Sequence, residues 1–213
     1  MKDISFSYGK KIILKNVNLI ISKGQKVGIV GISGSGKTTL INILMGLIKP
    51  SSGKIYLDKK LLNNDSIEIL KNIGYVPQDP YLLDDSIQNN ILFGSKLNKN
   101  RLKKIIKNSQ LENLVDSLKN KENSKVGNTG SRVSGGQKQR LSIARALYNH
   151  PGMIILDEAT SALDQETEKK IIENVFKTNK EKTIILISHK KSLLSYCEKI
   201  FEIKNGIIKT YIS

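Results

Sequence analysis

Apolar and polar positions come in blocks along this chain, and the period of the blocks switches between about two and about 3.6 residues. Residues 12–21 mix alternating with continuous apolar positions, which predicts a strand closed by the turn Ser22-Lys23-Gly24. Residues 26–30, apolar after Lys26, lead straight into glycines, the pattern of a buried strand. Beyond Lys37, the positions Leu40, Ile41, Ile43, Leu44 and Leu47 keep helical spacing until Pro50 and Gly53 close the segment. Short strands are predicted at 54–57 and 73–76, followed by a mostly helical stretch over about 85–118. The polar stretch 119–130 predicts a loop, and Ser134 stands as the N-cap of a helix reaching Tyr148, where Pro151-Gly152 stops it. A strand at 153–156, a helix at 166–176, a strand at 183–187 and a helix at 191–196 complete the pattern, with two short strands around Asn205-Gly206.

Strands alternating with helices predict an α/β fold with a mainly parallel sheet. The 213 residues are enough for one well-buried domain, so 1–213 is expected to be one unit with the middle helical stretch as a lobe. The sequence contains no apolar run of 18 residues, and polar residues follow Met1 where a secretion signal would be apolar; a soluble, non-secreted chain is expected. The single cysteine, Cys197, can form no internal disulfide and has no metal-ligand company at short spacing. It is read as a half-buried small apolar residue in a reducing cytoplasm.

The formal charge of +16 raises nucleic acid or an anionic membrane surface as partners. Only Arg101, Arg132, Arg140 and Arg145 are arginines, and the lysines are scattered among abundant asparagine and isoleucine. Base readout relies more on arginine, and the 5% aromatic content leaves little for base stacking, so no specific nucleic acid is expected.

Chemistry concentrates in two places. Gly31-Ile32-Ser33-Gly34-Ser35-Gly36-Lys37-Thr38 satisfies the phosphate-loop pattern G-x-x-x-x-G-K-[ST] and lies between a predicted strand and a predicted helix, as its mechanism requires. Glycines let backbone N–H groups converge on phosphates, and the helix starting near Gly36 aims its positive end at them. Lys37 neutralises phosphate charge, and Thr38 offers a hydroxyl to Mg²⁺, a hard cation that takes oxygen ligands. ATP and Mg²⁺ are the ligands this loop implies.

The second place is Met153-Ile154-Ile155-Leu156-Asp157-Glu158, an apolar strand ending in two carboxylates. Ligands of open α/β sheets lie at the carboxyl ends of strands, which would bring both acids toward the phosphate loop. Because side chains alternate along a strand, Asp157 fits a role at Mg²⁺ and Glu158 a role polarising the attacking water.

Asp157-Glu158-Ala159-Thr160-Ser161-Ala162-Leu163-Asp164, preceded by Val133-Ser134-Gly135-Gly136-Gln137-Lys138-Gln139-Arg140, resembles the ATP-binding-cassette family. The first segment resembles the Walker B strand, catalytic glutamate and D-loop; the second resembles the signature LSGGQ, with Val133 in place of leucine. Tyr8 resembles the A-loop aromatic that stacks on adenine, Gln78 the Q-loop glutamine, and His189 the switch histidine that reaches the γ-phosphate. The resemblance implies a P-loop NTPase core with a mainly parallel sheet, an N-terminal antiparallel β subdomain and an α-helical signature subdomain over about 84–149. It implies catalytic roles for Glu158, His189, Lys37 and Gln78. Nucleotide contacts are implied for Tyr8, Gly31, Ser33, Gly34, Ser35, Gly36, Lys37, Thr38, Thr39, Ser134, Gly135, Gly136, Gln137 and Asp164. Thr38, Gln78 and Asp157 are implied at the metal.

Two segments are similar to the exporter branch of that family. Gln78-Asp79-Pro80 leads into Leu83-Asp84-Asp85-Ser86-Ile87-Gln88-Asn89-Asn90-Ile91, and Val126-Gly127-Asn128-Thr129-Gly130 resembles the X-loop V-G-E-x-G, with Asn128 where glutamate is usual. By this resemblance two cassettes pair head to tail, as homodimer or heterodimer, each ATP lying between one phosphate loop and the other signature. Hydrolysis then drives a transmembrane domain at the cytoplasmic face of the cell membrane. No stretch of the sequence is apolar enough to span a membrane, so the transmembrane part is expected in another chain or in an upstream piece of this one; exporter cassettes also have several more strand residues ahead of the segment corresponding to 4–8. The alternative is a soluble relative acting on nucleic acid or ribosomes; such relatives carry tandem cassettes or a long coiled-coil insertion, and this sequence has neither. A lipid, lipid-linked glycan, peptide or drug fits exporter features better than an imported nutrient.

Overall fold

The computed structural model describes residues 1–62 and 70–211. Its strands are β1 (Lys2–Tyr8), β2 (Lys11–Val17), β3 (Lys26–Val30), β4 (Ser52–Lys54), β5 (Tyr56–Leu57), β6 (Lys60–Leu61), β7 (Ile73–Val76), β8 (Met153–Asp157), β9 (Thr183–Ile187), β10 (Lys199–Lys204) and β11 (Ile207–Thr210). The helices are α1 (Lys37–Leu44), α2 (Ile87–Leu92), α3 (Lys99–Asn108), α4 (Glu112–Ser117), α5 (Gly135–Tyr148), α6 (Gln165–Thr178) and α7 (Lys191–Leu194). Contacts divide the chain into two units, Met1–Ile73 with Thr183–Ser213, and Gly74–Lys182.

In the first unit β3 pairs in parallel with β9 and β10, placing Ile29 opposite both Ile187 and Phe201. All five residues of β9 are buried, because a strand covered on both faces needs a continuous apolar run. β11 folds back antiparallel on β10 through Asn205 and Gly206 at φ 51° and 76°. A separate antiparallel sheet has the order β2-β1-β4, the N-terminal β subdomain expected of the fold class.

The structure departs from the sequence expectations at four places here. The strand expected at 12–21 ends at Val17; beyond it Leu19 is buried and exchanges two bonds with Met1, its N–H to Met1 O at 3.1 Å and the Met1 ammonium to Leu19 O at 2.9 Å, while Ile20 is 81% exposed. The β1 strand was not predicted as an element, although Ile4 and Phe6 alternate inward. Helix α1 stops at Leu44 and does not reach Leu47, since Gly46 turns to φ 74° and the N–H of Leu47 bonds Asn42 O at 2.8 Å. The strand expected at 54–57 is split between β4 and β5.

In the second unit β7 lies beside β8, whose Ile154, Ile155 and Leu156 are wholly buried. Helices α2 and α3 pack on α5, which buries Leu141, Ile143, Ala144, Leu147 and Tyr148. The Tyr148 hydroxyl accepts from Asn98 N–H at 2.8 Å and donates to Lys96 O at 3.0 Å, which pins the start of α3 to α5. Four helices open on polar caps: Ser86, Asn98, Ser134 and Asp164 each accept the N–H three residues ahead, at 3.0, 3.0, 3.2 and 2.9 Å. Each cap contributes about 1 kcal/mol. The helical stretch expected over 85–118 is three helices, broken where Phe93 and Gly94 turn to φ 44° and 85° and where Gln110 turns to φ 54°. The loop expected at 119–130 holds two 3₁₀ turns, Lys121–Asn123 and Asn128–Gly130.

Candidate functional site

The phosphate loop leaves the C-terminal end of β3 and enters α1, the order the sequence predicts. A Cβ at Gly31 would sit 2.6 Å from Ile203 O and 2.6 Å from Ser35 Oγ, so only glycine lets the chain pass. Gly34, at φ 76°, has nothing within 4 Å of where a Cβ would stand, which leaves the loop open on that side. Lys37 is 7% exposed, and its ammonium donates to Gly31 O at 2.7 Å and Ile32 O at 3.2 Å. His189, exposed just past β9, brings Nε2 to 3.4 Å from the same ammonium. Thr38 is exposed, Thr39 half-buried, and Ser33 exposed; Ser35 Oγ is buried with no hydrogen-bond partner among the described residues.

Tyr8 ends β1, 54% exposed, with its ring edge-on to Phe6 at 4.8 Å and 89°. β2 runs against the loop: a Cβ at Gly36 would lie 3.1 Å from side-chain atoms of Ile13 and Leu14.

The second unit carries the acidic pair. Asp157, 4% exposed, accepts from the Tyr75 hydroxyl at 3.3 Å. Burial, then the Asp157 charge and that hydrogen bond, push the Tyr75 phenol up from its usual range. Glu158 follows at φ 48°, a left-handed conformation that a non-glycine residue adopts at a cost, and Gln78 Nε2 donates to its Oε2 at 3.0 Å. That bond leaves Gln78 Oε1, the atom able to ligate a cation, outside it.

Ser134 caps α5 in a capping box: its Oγ accepts from Gln137 N–H at 3.2 Å, and Gln137 Oε1 accepts from Ser134 N–H at 2.8 Å. Gly135 and Gly136 form the first turn, which presents backbone donors and the positive end of a 14-residue helix. Asp164 caps α6, and its carboxyl is held below its usual range first by the backbone N–H of Thr167. The two exporter-like segments meet, with Val126 N–H bonding Asp85 O and Ile87 N–H bonding Ser124 O, both at 3.0 Å.

Within the first unit the structure therefore gathers Lys37 and His189, and within the second Gln78 with Glu158. Tyr75, Gln139 and Arg145 make further contacts at the site that the sequence assigns to none of them. Arg145 donates to Asn90 O, Asn90 Oδ1 and Tyr81 O, each at 2.8 Å, and stacks over Phe93 at 4.7 Å. A polar residue at helical spacing on an apolar face was the only available signal for Gln139.

A strand, glycine loop and helix in this order define a phosphate-loop nucleotide-binding architecture. The ABC transporter family profile matches residues 14–161. The chain is 36% identical over 212 residues to an ATP-dependent lipid A-core flippase of Ralstonia nicotianae, covering 96% of this chain and 36% of that protein. It is 39% identical to the multidrug resistance-like ATP-binding protein MdlB of Buchnera aphidicola, over 98% of this chain and 36% of the relative. A solved bacterial Atm1-family ABC exporter with ATP bound superposes with a TM-score of 0.93 at 30% identity, covering 98% of this chain and 37% of that one. The chain belongs to the ABC transporter family, and it spans about a third of the length of these relatives. Their names favour the exporter resemblance over a soluble relative acting on nucleic acid or ribosomes.

Proposed function

We propose that this chain is an ATP-binding and ATP-hydrolysing cassette of an exporter or flippase, residues 1–213 forming the ATPase and about 84–149 its helical signature subdomain. What carries the reading is that one chain holds two glycine-opened helix N-termini, α1 behind the phosphate loop and α5 behind Ser134. One nucleotide needs one such loop; a second anion-binding terminus fits a nucleotide held by another copy.

The residues suit ATP and Mg²⁺. Gly34 leaves open space, Ser35 Oγ lacks a partner among the described residues, and Lys37 already folds over the loop. No group of three His, Cys, Asp or Glu side chains gathers among the described residues, which suits a cation held largely by nucleotide oxygens and water. Thr38, Gln78 Oε1 and Asp157 would hold Mg²⁺, which when bound neutralises phosphate charge. Lys37 and the amides of the loop, with Ser33, Ser35 and Thr39, hold the phosphates, and Tyr8 stacks on adenine. Glu158 polarises the water that attacks the γ-phosphate, and His189 steadies that phosphate. Ser134, Gly135, Gly136, Gln137 and Asp164 face the nucleotide of a second cassette, homologous or identical, paired head to tail. ATP then closes the pair, and its hydrolysis releases it. Tyr81 and Phe93, 62% and 57% exposed, support contact with a transmembrane partner that places the chain at the cytoplasmic face of the membrane.

The test is ATP turnover by the chain and its Glu158→Gln variant. The variant is expected to keep ATP affinity, lose at least about 100-fold in kcat and accumulate as an ATP-bound dimer. Wild-type turnover in the variant would end the assignment of Glu158.

A further inference from the structure

Helix α5 buries two polar side chains, Ser142 and the longer Gln139. Gln139 is 3% exposed; its Nε2 donates to Ser161 Oγ at 2.9 Å and to Gln78 O at 3.4 Å, and its Oε1 accepts from Ala162 N–H at 2.9 Å. Both amide donors and one carbonyl lone pair are thus committed, to residues 61, 22 and 23 positions away in sequence. A buried amide is tolerated where its partners are in place, so the bonds fix the geometry of everything they join.

Packing ties the same parts a second time. A Cβ at Gly136 would meet Ala162 O and Leu163 Cδ2, each at 3.1 Å, so the segment after Glu158 lies flush on the first turn of α5. Gln78, whose carbonyl Gln139 holds, uses its own amide to hold Glu158. A continuous path therefore runs from the Ser134 cap through α5 and Gln139 to Gln78, the 161–162 segment and Glu158.

We propose that Gln139 is a positioning residue that locks Gln78 and the 161–162 segment to α5, so that engagement of Ser134 sets the placement of Glu158. The inference rests on the functional reading above, in which Ser134 faces the nucleotide of the second cassette while Glu158 acts on the nucleotide held by its own chain. Gln139 then makes occupancy of one site a condition for turnover at the other, a coupling between two sites. A glutamine that merely satisfied loop backbone would affect stability and leave the ATP dependence of turnover unchanged.

The experiment compares wild type, Gln139→Met and Ser161→Ala as the full chain, measuring ATP-analogue affinity, kcat and the Hill coefficient for ATP. Methionine keeps the length and removes all three bonds; Ser161→Ala removes one bond at an exposed residue and keeps the test alive if Gln139→Met does not fold. Affinity is expected to stay within about twofold in both, while kcat falls about tenfold in Gln139→Met and about threefold in Ser161→Ala. The Hill coefficient drops toward one in each variant that folds. A Hill coefficient and kcat unchanged from wild type in Ser161→Ala, or a loss confined to affinity or melting temperature, overturns the proposal. Non-cooperative ATP hydrolysis in the wild type overturns the proposal alone, whereas absence of ATP turnover overturns the functional reading and the proposal with it.

Discussion

Gln78 reaches across 80 positions of sequence to donate from Nε2 to Glu158 Oε2 at 3.0 Å, onto a glutamate whose backbone stands at φ 48°. The carboxylate thus takes its position from another segment as well as from its own strand, and a change at Gln78 should act on the proton-transfer step more than on binding. Gln78→Ala is expected to lower kcat for ATP hydrolysis about tenfold while KM stays within about threefold. Gln78→Glu brings two carboxylates together, which cannot both stay ionised, so the acid limb of the pH–rate profile should move to higher pH. An unmoved limb would show that the two side chains part company in the working enzyme.

Lys37 ties the loop to itself through its bonds to Gly31 O and Ile32 O. Lys37→Met keeps the stem and removes the charge. ATP affinity by calorimetry is expected to fall at least about 100-fold, since charge-assisted contacts to phosphate are the strong ones. The melting temperature should also fall by a few degrees from the lost loop bonds, at about 1 kcal/mol each. Retained affinity would move phosphate binding onto the backbone alone.

Much of this was legible in the sequence because it is local. The glycines and lysine of the loop, the Ser134 cap, the β8 run ending in Asp157 and the turn at Asn205-Gly206 each follow from a few neighbouring residues, and the structure forms each of those elements. What escaped was set by distant partners. The breaks at Phe93 and Gln110 need left-handed backbone that their residue types do not announce. Ile20 looked like strand and is exposed, because apolar character says nothing about which ladder is available. The contacts of Gln139 and Arg145 depend on partners tens of residues away, which no local pattern specifies.

Cys197 lies against Gly28, whose Cβ, if present, would stand 3.5 Å from the sulfur. Burial, then the charge of Glu198, pushes its thiol up to about 12. Against the ordinary value of about 8.5, this leaves on the order of 10³ fewer thiolates in the native chain near neutrality. Labelling by a thiol reagent at pH 8 should therefore follow the urea unfolding curve. Rapid stoichiometric labelling of the native chain would contradict the burial of this residue.

His150 titrates below its usual range, first through desolvation and then through repulsion from Arg101, Lys182 and Lys104. The unfolded chain takes up this proton near pH 6.5 and the folded chain only at lower pH, so the unfolded state binds more protons as pH falls through 6.5. The contribution of a neutral His150 is complete above that pH and is lost below it. His150→Gln should make the fall in melting temperature between pH 7.5 and pH 5.5 shallower. Because the residue is mostly exposed, about 0.5 M salt should reduce the difference between the two proteins.

Ser134 caps α5 and has a second, proposed role that substitution can separate from the first. As the cap of α5 it accepts from Gln137 N–H at 3.2 Å, and Ser134→Ala should cost about 1 kcal/mol in urea unfolding. As part of the proposed second half-site it faces the nucleotide of another copy, so the same variant should bind ATP normally as a monomer and fail to form the ATP-dependent dimer. Ser134→Asp separates the two effects. Aspartate is as good a cap and restores stability, but it sets a negative charge against phosphate and should abolish dimer formation more completely than alanine. Stability and dimerisation measured side by side would then rank the three proteins in different orders. If dimerisation instead tracked stability across all three, the N-terminus of α5 would have no part in holding nucleotide.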